Sequence, residues 1–252
     1  MINAKYSYKL FAEYYDLYAG NYTEDLEFYK SICKKKDNII EIGSGTGRVL
    51  KPFLQADFKM TGVDISDEML DLAKKKFEEY VQSGKLVLLN HDFSNGSIAG
   101  QFDKALVTFY TFNYIIHNPV VFLKNVYDTL SEKAILIMDL FYPLSLVDTS
   151  IENKWREHDF EINSRKINLK DKRWMEGNIE HRAQIYRENS KEIQIDTDRR
   201  YYSPVEIKNF LEEAGFKNIQ FSLTFQTNQF VNHIDKKDLI KNYIVKAEKF
   251  KV

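Results

Sequence analysis

The sequence predicts an α/β fold: a mostly parallel sheet with helices on both faces and an antiparallel β segment inserted late in the chain. Three observations lead there. From Asp37 to Asp139, short apolar runs alternate with stretches of helical periodicity, the pattern of parallel strands joined by right-handed helical crossovers. Between Phe141 and Tyr202 that pattern gives way to period-two alternation without helical crossovers. A glycine-rich turn, Gly43-Ser44-Gly45-Thr46-Gly47, follows the first apolar run, at the end of a strand where open α/β sheets take their ligands.

Ahead of the sheet, Leu10, Phe11, Tyr14, Tyr15 and Tyr18, then Leu26, Tyr29 and Ile32, recur at helical spacing with a break near Gly20-Asn21, which predicts two helices. The alternation predicts strands over 38–42, 59–64, 86–90, 102–108 and 134–139. Helices are expected from about Gly47 to Gln55, from Asp67 to Val81, and from Asn118 to near Leu130, where Asn118-Pro119 offers an N-cap and a first-turn proline. Pro52 lies inside the first of these, so that helix must kink or start late. In the insert, the segments 161–169, 178–186 and 192–196 alternate and read as strands exposed on one face. Ser203-Pro204-Val205-Glu206 is a capping box and Ala214-Gly215 a helix stop, bounding a helix between Ser203 and Ala214. Strands over 216–221 and 241–248 then complete a sheet of seven.

The glycines let the chain pass close to a ligand, because glycine has no Cβ to clash and tolerates positive φ. Glu41 precedes them, and Asp64 ends the next strand, where a carboxylate can accept hydrogen bonds from ribose hydroxyls. A dinucleotide fingerprint needs G-x-G-x-x-G, but counting from Gly43 the sixth place is Arg48, which speaks against a nicotinamide-dependent oxidoreductase. Glu41-Ile-Gly43-Ser-Gly45-Thr-Gly47-Arg48 with Asp64 instead resembles the first motifs of the class I S-adenosylmethionine (SAM)-dependent methyltransferases, a Rossmann-like family. The resemblance implies that Glu41 lies near the amino-acid portion of SAM and that Asp64, with Ile65 beside it, binds the ribose. It also implies that Met69 packs on the adenine, that Asp92 accepts from the adenine amino group with Phe93 beside the ring, and that Arg48 reaches the cofactor's carboxylate. Each of these last has a structural alternative: Met69 as core, Asp92 as a turn residue, Arg48 as a solvated helix start. Residues 12–18 resemble the tyrosine-bearing N-terminal helix of the small-molecule branch, in which Tyr15 closes over the cofactor. The segment 109–115 resembles the one where amino-sugar N-methyltransferases carry polar groups near the transferred methyl, although some relatives have histidine where Tyr114 stands. The implied organisation is a single domain, 1–252: N-terminal helices over the site (1–36), a SAM-binding core (37–140), an antiparallel substrate cap (141–202), and a final helix and strands (203–252). A non-catalytic SAM-binding regulatory protein fits the same motifs.

Methyl transfer from a sulfonium is an in-line displacement that needs alignment and exclusion of water, and no metal. Aromatic faces attract a sulfonium, and Phe109, Tyr110, Phe112 and Tyr114 cluster where the fourth strand ends. Tyr110 is therefore a cofactor candidate, and Tyr114, His158, His181 and Arg200 are substrate-facing candidates, joined by Trp155 and Arg199. The insert holds Arg156, Arg165, Arg173, Arg182, Arg187, Arg199 and Arg200, which suits an anionic acceptor as well as cross-strand ion pairs.

Lys+Arg 36 against Asp+Glu 37 leaves a net charge of −1, so a surface built for polyanions is not expected. Base-flipping clamps such as Asn-Pro-Pro-Tyr are missing from the sequence, which likewise disfavours a nucleic acid. Cys33 is the only cysteine, fitting a reducing compartment, and no segment reaches the roughly 18 apolar residues of a membrane span. The five histidines show no metal-pair spacing. The expectation is a cytoplasmic enzyme, monomer or homodimer, acting on a small molecule.

Overall fold

The computed structural model describes residues 12, 15–16, 22–142, 153–162, 164–234 and 242–250. The expected first helix lies outside the described residues, except for Ala12, Tyr15 and Asp16, which are helical. The second is α1 (Leu26–Ser31). The alternating region follows as β1 (Ile39–Ile42), α2 (Leu50–Gln55), β2 (Met60–Asp64), α3 (Asp67–Lys76), α4 (Glu78–Gln82), β3 (Leu86–Asn90), β4 (Phe102–Val107), α5 (Pro119–Thr129) and β5 (Leu130–Phe141). Strands β6 (Arg156–Ile162), β7 (Arg165–Glu176), β8 (Ile179–Glu188) and β9 (Lys191–Arg200) form the insert. The chain ends with α6 (Pro204–Glu213), β10 (Lys217–Ser222) and β11 (Asn242–Glu248).

Seven strands form one sheet in the order β10-β11-β5-β4-β1-β2-β3. Strands β1 to β5 pair in parallel, while β11 runs antiparallel to both β5 and β10. Both faces are buried, and alternate residues of one strand divide between them. Ile40, Val107 and Leu136 join one apolar cluster with Phe122 and Phe216, and Ile39, Leu106 and Ile137 join the other with Leu50 and Phe53. This is why these strands read as unbroken apolar runs. After β1 the chain adds β2 and β3 on one side and then crosses to add β4 on the other. The C-terminal ends of β1 and β4 thus flank a topological switch point, the place where such sheets bind ligands.

Local differences from the sequence reading have local causes. Helix α2 starts at Leu50, so Pro52 falls in the first turn, where its missing N–H leaves no bond unmade. The helix expected over 67–81 breaks at Phe77 (φ −120°, ψ 29°), whose ring turns into the apolar cluster around Leu50 and Phe53. Asn118 is left-handed and its side chain makes no cap bond, whereas Pro119 does stand in the first turn of α5. The period-two segment 161–169 is not one strand. Ile162 pairs with Arg165, so the chain reverses between them and the apolar positions shift by one, from Phe160 and Ile162 to Ile167 and Leu169.

The insert is a separate four-stranded antiparallel sheet, β6-β7-β8-β9. At the entry to α6 both halves of the capping box form: Glu206 N donates to Ser203 Oγ, and Ser203 N donates to Glu206 Oε2 at 2.9 Å. Ser203→Ala is expected to cost about 1 kcal/mol of stability, read as a lowered urea midpoint with an unchanged m-value. Among the described residues, no helix is long and apolar enough to cross a membrane.

Candidate functional site

The turn after β1 is fastened from both sides. Gly43 N and Ser44 N donate to Val63 O at 2.8 and 2.9 Å, tying the turn to β2. Asp64, ending β2, accepts from Gly45 N at Oδ2 (2.8 Å) and from Ser66 N at Oδ1 (2.9 Å). Burial pushes the Asp64 carboxyl up, opposed by these backbone N–H bonds. With Ile65 N–H as a third backbone donor, three of the carboxylate's roughly four lone-pair sites are engaged. The glycines answer different needs. A Cβ on Gly47 (φ +91°) would lie 2.3 Å from the Phe77 ring, so this residue serves the packing of the loop on α3. A Cβ on Gly45 (φ +53°) would find only the Tyr15 ring within 4 Å, at 3.9 Å, so here the bare backbone faces the site.

Glu41 is buried. Its Oε1 accepts from Thr108 Oγ1 at 3.0 Å, while Oε2 has no partner among the described residues. Burial pushes its carboxyl up to about 8, against the Thr108 bond and the Arg48 charge. A buried carboxylate oxygen without a donor is costly, and a cationic ligand group would relieve it.

Beyond β4 the chain makes a turn in which Phe109 (φ 52°) and Tyr110 (φ 64°) are both left-handed, a conformation that strains non-glycine residues. The carboxylate of Asp139, at the end of β5, holds it. Its Oδ1 accepts from Phe109 N and from Tyr29 Oη, both at 2.7 Å, and Oδ2 from Tyr110 N at 3.2 Å. Burial pushes Asp139 up to about 6, with the Tyr29 bond opposing. The Phe109 and Tyr110 rings stack at 5.5 Å, and Tyr110 lies 5.4 Å from the Phe141 ring, forming an aromatic wall beside the glycine turn.

Tyr15 meets this wall edge-on, 6.2 Å from Phe109. Burial pushes its hydroxyl up, opposed by Arg48 and reinforced by Tyr114, Glu41 and Asp64, so these side chains share one locality. The next residue, Asp16, anchors this segment by accepting from Thr46 Oγ1 and pairing with Lys76. Arg48 gives its two terminal nitrogens to Asp25 at 2.8 and 2.7 Å and a further bond to Tyr22 O, and its guanidinium sits 4.6 Å from the Phe109 ring centre. Burial works against the Arg48 charge, but the Asp25 bonds and charge outweigh it, and its pKa is raised. Contrary to the expectation that Arg48 reaches the cofactor, its charge is consumed by Asp25, and it braces the wall from behind.

Other expected residues divide. Ile65 is 62 % exposed beside Asp64, an apolar face open to a ligand, and Tyr114 is half-exposed, whereas Met69 is buried. Asp92 accepts from Ser94 N (2.8 Å) and Asn95 Nδ2 (3.0 Å), making it a turn residue. Phe93 does not face a ligand: it is a core side chain against Phe122. In the insert, pleating decides. Arg199 lies 5.3 Å from the Phe141 ring, on the side of the aromatic wall. Adjacent Arg200 must point the other way, over Tyr202 and toward Glu206, which lines a separate cavity of about 420 Å³ with Tyr142 and Ser203. His181 likewise faces away from Arg199, bonded to Asp198 (2.7 Å) and stacked on Trp174. His158 shares the face of Arg199 but is exposed and sits 3.8 Å from Asp171. Contrary to expectation, Arg200 and His181 thus lie on the side of the insert away from the aromatic wall, and Arg199 lies on the side that meets it.

Sequence reasoning missed Asp139, Asp25, Asp16 and Thr108. For Asp139 there was a signal: a lone acid ending the run Ala134-Ile135-Leu136-Ile137-Met138 has to be buried with donors. The other three belong to long-range contacts that no local pattern marks.

Residues 40–136 match a family model described as a methyltransferase domain. A putative methyltransferase of Bacillus subtilis is 25% identical over 160 residues, covering 62% of this chain and 64% of its own; the chain thus matches just under two thirds of that relative's length. The crystal structure of an S-adenosylmethionine-dependent methyltransferase from Clostridium acetobutylicum superposes with a TM-score of 0.76 at 20% identity, covering 97% of this chain and 99% of its own. A SAM-bound amino pentose methyltransferase from Micromonospora echinaspora gives 0.68 at 13%, covering 94% and 96%.

Proposed function

We propose that this chain is a class I SAM-dependent methyltransferase that transfers the methyl group of SAM to an oxygen or nitrogen of a small polar acceptor, a reading supported by the methyltransferase-domain match over residues 40–136 and by the fold. The observation that carries the site assignment is the convergence, at the switch point, of an unpartnered buried carboxylate oxygen, a ribose-height carboxylate and a bare glycine backbone under an aromatic wall. SAM supplies an electrophilic methyl group on a sulfonium. Glu41 Oε2 receives the α-ammonium, Asp64 receives a ribose hydroxyl, and Ile65 packs beside the base. The Phe109-Tyr110 wall attracts positive charge, and Tyr15, held by Asp16, keeps water from the methyl. Tyr114, half-exposed near Tyr15, orients the acceptor. A neutral amine needs only that orientation, and this favours an amino group. The direct experiment is calorimetry with SAM, followed by detection of S-adenosylhomocysteine (SAH) release across a panel of amino-sugar and hydroxyl acceptors. Binding without turnover on any of them would point to the regulatory reading.

Glu41 makes a sharper prediction. With its carboxyl raised to about 8, the free protein holds it protonated at neutral pH, and capture of an ammonium drives the proton off. SAM affinity is expected to strengthen with rising pH between 6 and 8, by at most about tenfold per unit, with about one proton released per site. Calorimetry in buffers of different ionisation enthalpy reads that proton, and Glu41→Gln should abolish it. The stability sign is opposite: the unfolded chain ionises this group from about 4.3, so the unliganded protein loses stability as pH rises from there through about 8.

A further inference from the structure

Strand register divides the insert's charges between its two faces. Leu169, Tyr186 and Ile193 stand opposite one another across β7, β8 and β9, so side chains an even number of residues from each share their face. Arg165, Arg173, Arg182 and Arg199 fall on that face with Asp171, Glu180 and Glu188, while Lys166, Lys170 and Lys172 fall on the other. Four arginines of β7, β8 and β9 are thus placed on the side that meets Phe141 and the aromatic wall, while Arg187, Arg200 and the lysines of β7 lie on the side away from it.

The ion pairs on this face are unequal. Arg165 and Glu188 are joined by two bonds of 2.7 and 2.6 Å. Arg199 holds Glu180, whose carboxyl burial would raise but whose arginine neighbours bring below the ordinary range. That leaves Arg173 and Arg182 loosely held. Arg173 approaches Glu180 only to 3.8 Å, and Arg182 reaches Asp171 only to 3.4 Å. The Arg182 Nε is buried with no acceptor among the described residues. Around Asp171 and Glu180, three guanidinium groups face two carboxylates.

We propose that this face is an oxyanion ledge for the acceptor: the methylated molecule carries a carboxylate or phosphate group that Arg182 and Arg173 bind. This rests on the methyltransferase reading and adds the chemical class of the substrate to it. The planar forks of two under-paired arginines suit a two-oxygen ligand, and such a ligand would supply acceptors that the chain itself does not provide.

The test titrates inorganic phosphate and acetate, against chloride at constant ionic strength, by calorimetry with and without saturating SAH. Saturable binding of at least one anion is expected, weakened about tenfold or more in Arg182→Ala and in the more exposed Arg173→Gln, with SAH affinity within twofold of the parent protein. Arg182→Lys should fail to restore it, because the fork is lost. Preference for phosphate over acetate, or the reverse, identifies the group. Absence of saturable binding by either anion, or unchanged binding in both arginine variants, overturns the proposal. Failure of SAH to bind overturns the methyltransferase reading instead, and the titration without SAH still decides this one.

Discussion

Asp64→Ala is expected to weaken SAM binding by about two orders of magnitude. A carboxylate accepting a ribose hydroxyl contributes about 1.5 kcal/mol or more through that charge-assisted bond, and about 1.4 kcal/mol is a factor of ten. The loss extends further, because the same carboxylate holds Gly45 N and Ser66 N and so sets the glycine turn and the start of α3. Asp64→Asn keeps one acceptor oxygen but sets an NH₂ group against a backbone N–H, so an intermediate loss is expected. Calorimetry with SAH measures both, with circular dichroism to confirm that the sheet is intact. An affinity within threefold of the parent in the alanine variant would remove Asp64 from the cofactor site.

The second large effect falls on stability. Arg48→Ala should cost about 3–5 kcal/mol, because it leaves the Asp25 carboxylate, 1 % exposed, as an uncompensated buried charge. The pair is bidentate, so Arg48→Lys is also expected to be destabilising. Removing both partners, as Asp25→Ala with Arg48→Ala, should recover part of the loss, since no lone charge then stays behind. Urea unfolding measures all three. This also separates the two roles for Arg48: a residue that grips the cofactor would lose SAM affinity at near-normal stability, whereas the observed geometry predicts the reverse order of effects.

Asp139 illustrates how a buried carboxylate shapes the aromatic wall through backbone N–H groups. Two consecutive left-handed residues, Phe109 and Tyr110, persist because one carboxylate satisfies both of their N–H groups and the Tyr29 hydroxyl. The aromatic wall is therefore set from β5 and α1, elements distant in sequence from the turn they hold.

What was legible from the chain alone follows from short-range physics. Strand and helix periods, the glycines after β1, the acid ending β2 and the Ser203 capping box are each written within a few residues, and they were enough for the seven-stranded sheet and for a glycine turn at its switch point. A shift of one position in the alternation, from Phe160 and Ile162 to Ile167 and Leu169, marks the reversal that the reading of 161–169 as one strand passed over. Only the tertiary structure decided which neighbour in Arg199-Arg200 meets the aromatic wall, that Arg48 is spent on Asp25, and that Phe93 belongs to the core. Those outcomes depend on strand register and on partners far away in sequence, where one step along a pleat turns a side chain to the opposite face and a single buried carboxylate determines what an arginine can do.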